Sequence, residues 1–260
     1  MTGIAETQSS LEAVLKDEII RMYQEVADQP QGTFHFFHGR EAAELFGYAP
    51  EWLERAPAGA IASFAGVGNP HERSRLQAGE TVLDLGSGAG LDAIIASWMV
   101  GPTGRVVGID LNPAMCLKAQ VHAAATGTKM ECHEGRMEDI PFPDASTDVV
   151  ISNGVINLSP DKAAVFAAVA KVLRPGGRLA LSDIVSTEQL PEGVTCDASL
   201  WAACIGGAMQ RDGYRDAIER AGLQIVEWRE NPEYRFVSER ADNAVRKYGV
   251  TSISLLARRP

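Results

Sequence analysis

Residues 82–90 read VLDLGSGAG, an apolar strand that breaks into three alternating glycines and then into a helical pattern. Glycine lets the backbone turn sharply and lets a ligand approach closely. A helix that starts just after the turn presents unpaired amides and a partial positive charge. Twenty residues after Gly90, Asp110 ends the next apolar run, 105–110. A carboxylate there can accept both hydroxyls of a ribose. Gly86, Ser87, Gly88, Gly90 and Asp110 together predict a site for a nucleoside-containing ligand at one edge of a sheet.

Strand and helix patterns alternate from Thr81 onward, which predicts a doubly wound α/β fold with a mostly parallel sheet. Strands are expected over 81–85, 105–110, 129–133, 147–152, 178–184, 223–228 and 251–257. Asn112 is placed to cap a helix with Pro113 at its first position and Gly127 at its end. Further helices are expected from 91 to about 99, from Ser159-Pro160-Asp161 to just before Pro175, and over 197–209, 212–221 and 238–247. Residues 1–75 differ, with helical patterns broken by turn-rich loops. Ser9 and Glu12 have capping-box spacing. Leu11, Val14, Leu15, Ile19, Met22 and Val26 recur at helical intervals, so 10–28 reads as an amphipathic helix. An aromatic loop holding Phe34, His35, Phe36, Phe37 and His38 follows, then short helices at 41–46 and 50–55. The expected organisation is an N-terminal helical cap over 1–75 and a ligand-binding domain over 76–260, with an insertion at about 185–210.

With 260 residues the chain is one large domain or two small ones. Lys and Arg number 24 against 34 Asp and Glu, a net charge of −10. That balance, with no Lys/Arg cluster, argues against nucleic acid and against an anionic membrane surface. No apolar run approaches the ~20 residues that span a bilayer. The N-terminus has neither the basic nor the apolar region of a secretory signal. Cys116, Cys132, Cys196 and Cys204 are scattered and form no CxxC, which suits a reducing cytoplasm. His35 and His38 have no carboxylate or cysteine spaced to complete a metal site. The chain is expected to act as a monomer or a homodimer.

The nicotinamide fingerprint is G-x-G-x-x-G. Here the third glycine falls one position early and Leu91 stands in its place. Asp84, just before the turn, would repel a pyrophosphate but can hold the ammonium of an amino acid. S-adenosylmethionine carries a ribose and an amino-acid end and no phosphate. On these residues the chain resembles the class I methyltransferases. VLDLGSGAG is similar to their first motif, and GIDLNP, 108–113, to the ribose motif that includes Leu111. GRMEDIPFPD, 135–144, resembles the adenine-side loop, with Met137 and Glu138, and LRPGG, 173–177, the turn before the fifth strand. The resemblance covers about 75–260. It implies a Rossmann-like seven-stranded sheet with an antiparallel last strand, S-adenosyl-L-methionine as cofactor and a small-molecule methyl acceptor. Ser152, at the end of the fourth strand, joins the implied cofactor residues.

A closer resemblance is to the arsenite methyltransferases, carried by FAGVGNP, ISNGVINLSPDK and WAACIGGAM. That family binds trivalent arsenic through three cysteines, one in each segment, because soft thiolates suit a soft centre. Val67 and Gly154 stand where two of them fall, and only Cys204 remains. Cys196 is eight residues from Cys204, which on one straight helix is ~12 Å, too far to share one atom. Cys116 and Cys132 read as packed core thiols. Asn153 is a candidate for orienting an acceptor, or for capping a turn. His35 and His38 are candidates for taking a proton near neutral pH, or exposed loop residues. Three readings stay open: an arsenite or thiol-directed methyltransferase, a C-, O-, N- or S-methyltransferase of an organic metabolite, and a non-catalytic module that binds S-adenosylmethionine.

Overall fold

The alternating apolar runs fold into one sheet. The computed structural model describes residues 2–29, 32, 34, 36–236, 243 and 246–260, with side chains from 13 onward apart from 27. The strands are β1 (Thr81–Leu85), β2 (Arg105–Asp110), β3 (Met130–Glu134), β4 (Thr147–Asn153), β5 (Leu173–Ser186), β6 (Met209–Gln210), β7 (Gln224–Glu230) and β8 (Thr251–Arg258). Their order is β3-β2-β1-β4-β5-β8-β7, with β6 paired to the end of β5. β8 runs antiparallel to both β5 and β7, and the other pairs are parallel. The strand order reverses between β1 and β4. In open α/β sheets ligands bind outside the carboxyl ends of the strands at such a switch point.

Before the sheet come α1 (Thr2–Asp28), α2 (Gly39–Leu45), α3 (Pro50–Arg55), α4 (Ala58–Ala62) and α5 (His71–Ser74). The crossovers are α6 (Leu91–Val100), α7 (Pro113–Thr126) and α8 (Lys162–Val172). The short α9 (Glu192–Thr195) and α10 (Ala198–Ala202) follow, then α11 (Arg211–Arg220). Successive strand residues face opposite sides. Val149 and Ile151 of β4 therefore join a core with Ile94, Ile95 and Ala119, while Val150 packs with Phe166, Val169 and Tyr214 on the other face. Phe46, Tyr48, Leu53, Ile61, Phe64 and Val67 are buried in the first of these cores, so residues 39–76 share a core with the sheet. Among the described residues no helix is long and apolar enough to cross a membrane.

Several expectations are corrected. α1 already starts at Thr2, so the Ser9–Glu12 spacing lies inside a helix and not at its beginning. β5 extends beyond 178–184 at both ends. Residues 197–209 are not one helix. Asp197 caps α10 by accepting from Ser199 N and Leu200 N, and the chain leaves the helix at Cys204 with φ +64°. Close packing enforces the break: a Cβ on Gly206 would lie 2.9 Å from Trp201 N. The ~12 Å separation of Cys196 and Cys204 argued from one straight helix therefore has no basis. The helix expected over 238–247 falls almost wholly outside the described residues.

Candidate cofactor and acceptor site

β1 ends in Asp84 and Leu85, and the turn that follows needs left-handed backbone at Gly86 (φ +67°), Gly88 (+52°) and Gly90 (+91°). A Cβ on Gly86 would sit 2.5 Å from Val155 Cγ2, so only glycine lets the turn pass the loop after β4. Gly88 N donates to Asp110 Oδ2 and Asn112 N to Asp110 Oδ1, each at 2.8 Å. These bonds aim the carboxylate at the turn, and lone pairs remain for a ligand hydroxyl. Burial pushes the Asp110 carboxyl upward.

A cavity of about 370 Å³ occupies this edge. Asp84, Gly86, Ser87, Gly88, Asp92, Asp110 and Leu111 line one side, and Met137, Glu138, Leu158 and Ser159 another. Asn153, Gly154 and Val155 bound it at the end of β4. Leu15, Ile19 and Tyr23 of α1, with Ser63, Phe64 and Gly66, cover it. Asp84 Oδ2 is buried there with no hydrogen-bond partner. Burial first, and the neighbouring Asp92 second, push the Asp84 carboxyl well above the usual range. An unpartnered buried oxygen beside a second carboxylate is a place for a cation. Ser159 Oγ donates to Glu138 Oε1 at 2.6 Å, which fixes a carboxylate in the cavity wall.

These residues fit S-adenosylmethionine. Asp84 suits its ammonium, Asp110 its ribose, and Met137 and Glu138 an apolar ring with exocyclic N–H donors. Ser63 and Asp92 also line the cavity and stand outside the site residues expected from sequence. Ser63 Oγ, buried and without a partner, directly follows a helix too short to show a period. Asp92 accepts on Oδ1 from Tyr48 Oη at 2.5 Å, lies 3.0 Å from His71 Nε2, and accepts on Oδ2 from Asn153 Nδ2 at 3.1 Å. Its partners come from three distant segments, so no local spacing marks it.

Other expected residues are placed differently. Asn153 lines the cavity, but its side chain is engaged: Oδ1 accepts from Val67 N at 2.8 Å and Nδ2 donates to Gly68 O at 2.9 Å. Ser152 is buried behind the cavity wall, its Oγ donating to Leu85 O. His38 sits at the start of α2, edge-on to Phe34 at 4.9 Å, and is not among the cavity-lining residues. His35 lies outside the described residues. Cys116 and Cys132 are buried, and Cys196 is exposed. Val67, Gly154 and Cys204 do converge. A Cβ on Gly154 would lie 3.1 Å from Val67 Cγ1, and Cys204 Sγ donates to Gly154 O at 3.6 Å. Burial pushes the Cys204 thiol up to about 12. No cluster that could hold a metal ion occurs among the described residues.

The fold and the site define a class I methyltransferase. The methyltransferase domain family matches residues 76–222. An arsenite methyltransferase of Halobacterium salinarum is 40% identical over 198 residues, covering 75% of this chain and 50% of the relative. The human arsenite methyltransferase is 35% identical over 138 residues, 49% of this chain and 37% of the relative. A crystal structure of an arsenic(III) S-adenosylmethionine methyltransferase from Chlamydomonas reinhardtii superposes with a TM-score of 0.63 at 31% identity, covering 85% of this chain and 72% of that one. The chain belongs to the S-adenosylmethionine-dependent methyltransferase family, beside its arsenite methyltransferases. It spans about half, or less, of the length of the curated relatives it matches.

Proposed function

We propose that the protein transfers a methyl group from S-adenosylmethionine to a small-molecule acceptor. The observation that carries this reading is the unpartnered, buried Asp84 Oδ2 in the same cavity as the glycine turn and Asp110. When bound, the cofactor supplies an electrophilic sulfonium methyl. The protein's own share is alignment and exclusion of water. Asp84 would hold the ammonium, Asp110 the ribose hydroxyls, and Met137 and Glu138 the adenine. Leu15, Ile19 and Tyr23 cover the cavity and keep water out. Asn153 holds the 66–68 segment against β4, so its role is positioning and not proton transfer. The cavity of about 370 Å³ lies within the roughly 300–1,000 Å³ usual for ligand sites.

Arsenite is the acceptor the family suggests, but Val67 and Gly154 remove two of the three thiols. The geometry favours an organic acceptor instead. Product formation from labelled S-adenosylmethionine with arsenite and glutathione separates the two. Methylated arsenic would overturn the organic reading. No methylated arsenic, with cofactor binding confirmed in the same sample, supports it. Asp84→Asn is expected to lose cofactor binding in either case.

A further inference from the structure

Among the described residues that line the cavity, two buried side-chain polar atoms have no hydrogen-bond partner, Asp84 Oδ2 and Ser63 Oγ. Buried polar atoms are rarely left unpaired, because each has given up its water. The ammonium of the reading above accounts for Asp84. Nothing yet accounts for Ser63, whose residue is only 5% exposed. The segment that carries it is fixed at both ends. On one side a Cβ on Gly59 would lie 2.5 Å from His122 Nε2, and His122 Nδ1 donates to Ala89 O of the glycine turn at 2.9 Å. On the other side a Cβ on Gly66 would clash with Asn153 Nδ2, which itself donates to Asp92 Oδ2. Ser63 therefore lies between the glycine turn and Asp92, on the side of the cavity that holds Asp84.

The amino-acid end of the cofactor carries two charges on one carbon. A carboxylate therefore enters the cavity wherever the ammonium does, and it needs donors. The turn itself has few to give. Gly86 N and Ser87 N donate to Ile109 O, Gly88 N to Asp110 and Gly90 N to Ser87 O. The other hydroxyls of the lining are engaged as well. Ser87 Oγ lies 3.3 Å from Cys132 Sγ, Tyr23 Oη lies 3.7 Å from Cys204 Sγ, and Ser159 Oγ donates to Glu138. The two cations of the lining, Lys16 and Arg136, are exposed, and Arg136 pairs with Glu138 at 3.4 Å. The Ser63 hydroxyl is the buried donor left over.

We propose that Ser63 holds the carboxylate of the cofactor's amino-acid end, and so selects S-adenosyl amino acids over S-adenosyl amines. This rests on the methyltransferase reading above. One ligand group with an ammonium and a carboxylate pairs both unpartnered atoms at once, Asp84 Oδ2 as acceptor and Ser63 Oγ as donor. It also makes the segment after α4 part of the cofactor site.

The test titrates the full chain and Ser63→Ala with S-adenosylmethionine and with its decarboxylated analogue, which keeps the ammonium, sulfonium, ribose and adenine. The wild type is expected to prefer S-adenosylmethionine. Ser63→Ala should bind S-adenosylmethionine about tenfold more weakly, the loss of one hydrogen bond to a charged group. Its affinity for the analogue should stay within about twofold of the wild type, since that ligand makes no such bond. The thermal midpoint of unliganded Ser63→Ala should be unchanged or higher, because the lost hydroxyl has no partner within the protein. Equal weakening of both ligands, or a lowered midpoint, would make Ser63 merely structural and overturn the proposal. So would unchanged affinity of the variant for S-adenosylmethionine, or a wild type indifferent to the carboxylate. Failure of the wild type to bind either ligand would instead sink the methyltransferase reading, and this proposal with it.

Discussion

Asp84 concentrates the chemistry of the site in one side chain. Its carboxyl is pushed up by burial and by Asp92, so the folded, unliganded protein keeps a proton that the unfolded chain releases above about pH 4. The stability this gives is lost as pH rises from that value through the folded pKa. An ammonium ligand prefers the carboxylate, so cofactor binding should release a proton, and affinity should rise with pH in the same window. Asp84→Asn is expected to raise the thermal midpoint of the unliganded protein while weakening S-adenosylmethionine more than tenfold, the scale of a buried charge-assisted bond. Differential scanning calorimetry paired with a binding titration checks both halves. At Gly154 the constraint is steric. Gly154→Ala should cost about 1–2 kcal/mol for the left-handed backbone alone, plus the contact with Val67. In a denaturation double-mutant cycle, Val67→Ala should recover part of that second cost, with a coupling of about 0.5 kcal/mol or more. Additive costs would show that the two positions do not press on each other.

At the scale of elements, the decisive joints are those that tie the N-terminal segments to the sheet. Asn153 of β4 bonds Val67 N, Gly68 O and Asp92. Asn153→Ala should destabilise the fold by about 1–3 kcal/mol and weaken the cofactor, because Asp92 loses a donor. Urea denaturation and cofactor titration measure the two effects separately. Lys162, at the start of α8, is buried with Nζ donating to Ser159 O, and burial lowers it to about 8. The unfolded chain binds its proton up to about pH 10.4, so stability should rise with pH between those values. Lys162→Met should flatten that slope in thermal melts across the window.

The elements with a long apolar period or a glycine motif were legible in sequence: β1, β2, α6, α7 and β8, although the antiparallel direction of β8 came only from the family resemblance. Helices of four or five residues, such as α4 and α5, carry no period to read. The break at Cys204 was hidden because it comes from tertiary packing of Gly206 and Gly207 against Trp201 and Asn157. Of the residues that line the cavity, Asp84, Asp110, Met137 and Glu138 stand in motifs legible in sequence, whereas Ser63 and Asp92 stand in none. The position of Asn153 after β4 suggests an acceptor contact, whereas its bonds to Val67 N, Gly68 O, Asp92 and Tyr48 Oη are tertiary and leave no mark in sequence.

For the whole molecule, the cavity is closed on one side by the sheet edge and on the other by α1 and the 63–66 segment. Ligand binding and overall stability must therefore be linked. S-adenosylhomocysteine at about one hundred times its Kd should add about 2.7 kcal/mol, or roughly 5–10 °C in thermal midpoint. Because α1 supplies Leu15, Ile19 and Tyr23 to the cover, the same ligand should slow proteolysis within α1. Equal cleavage rates with and without ligand would mean that α1 does not close over it.

The most direct measurement is a calorimetric titration of S-adenosylmethionine into the wild-type chain and Asp84→Asn, in two buffers of different ionisation enthalpy. Saturation at one site per chain, release of a proton and loss of binding in the variant are the expected result. No binding to the wild type, or equal binding to the variant, would contradict a methyl-donor site built around Asp84.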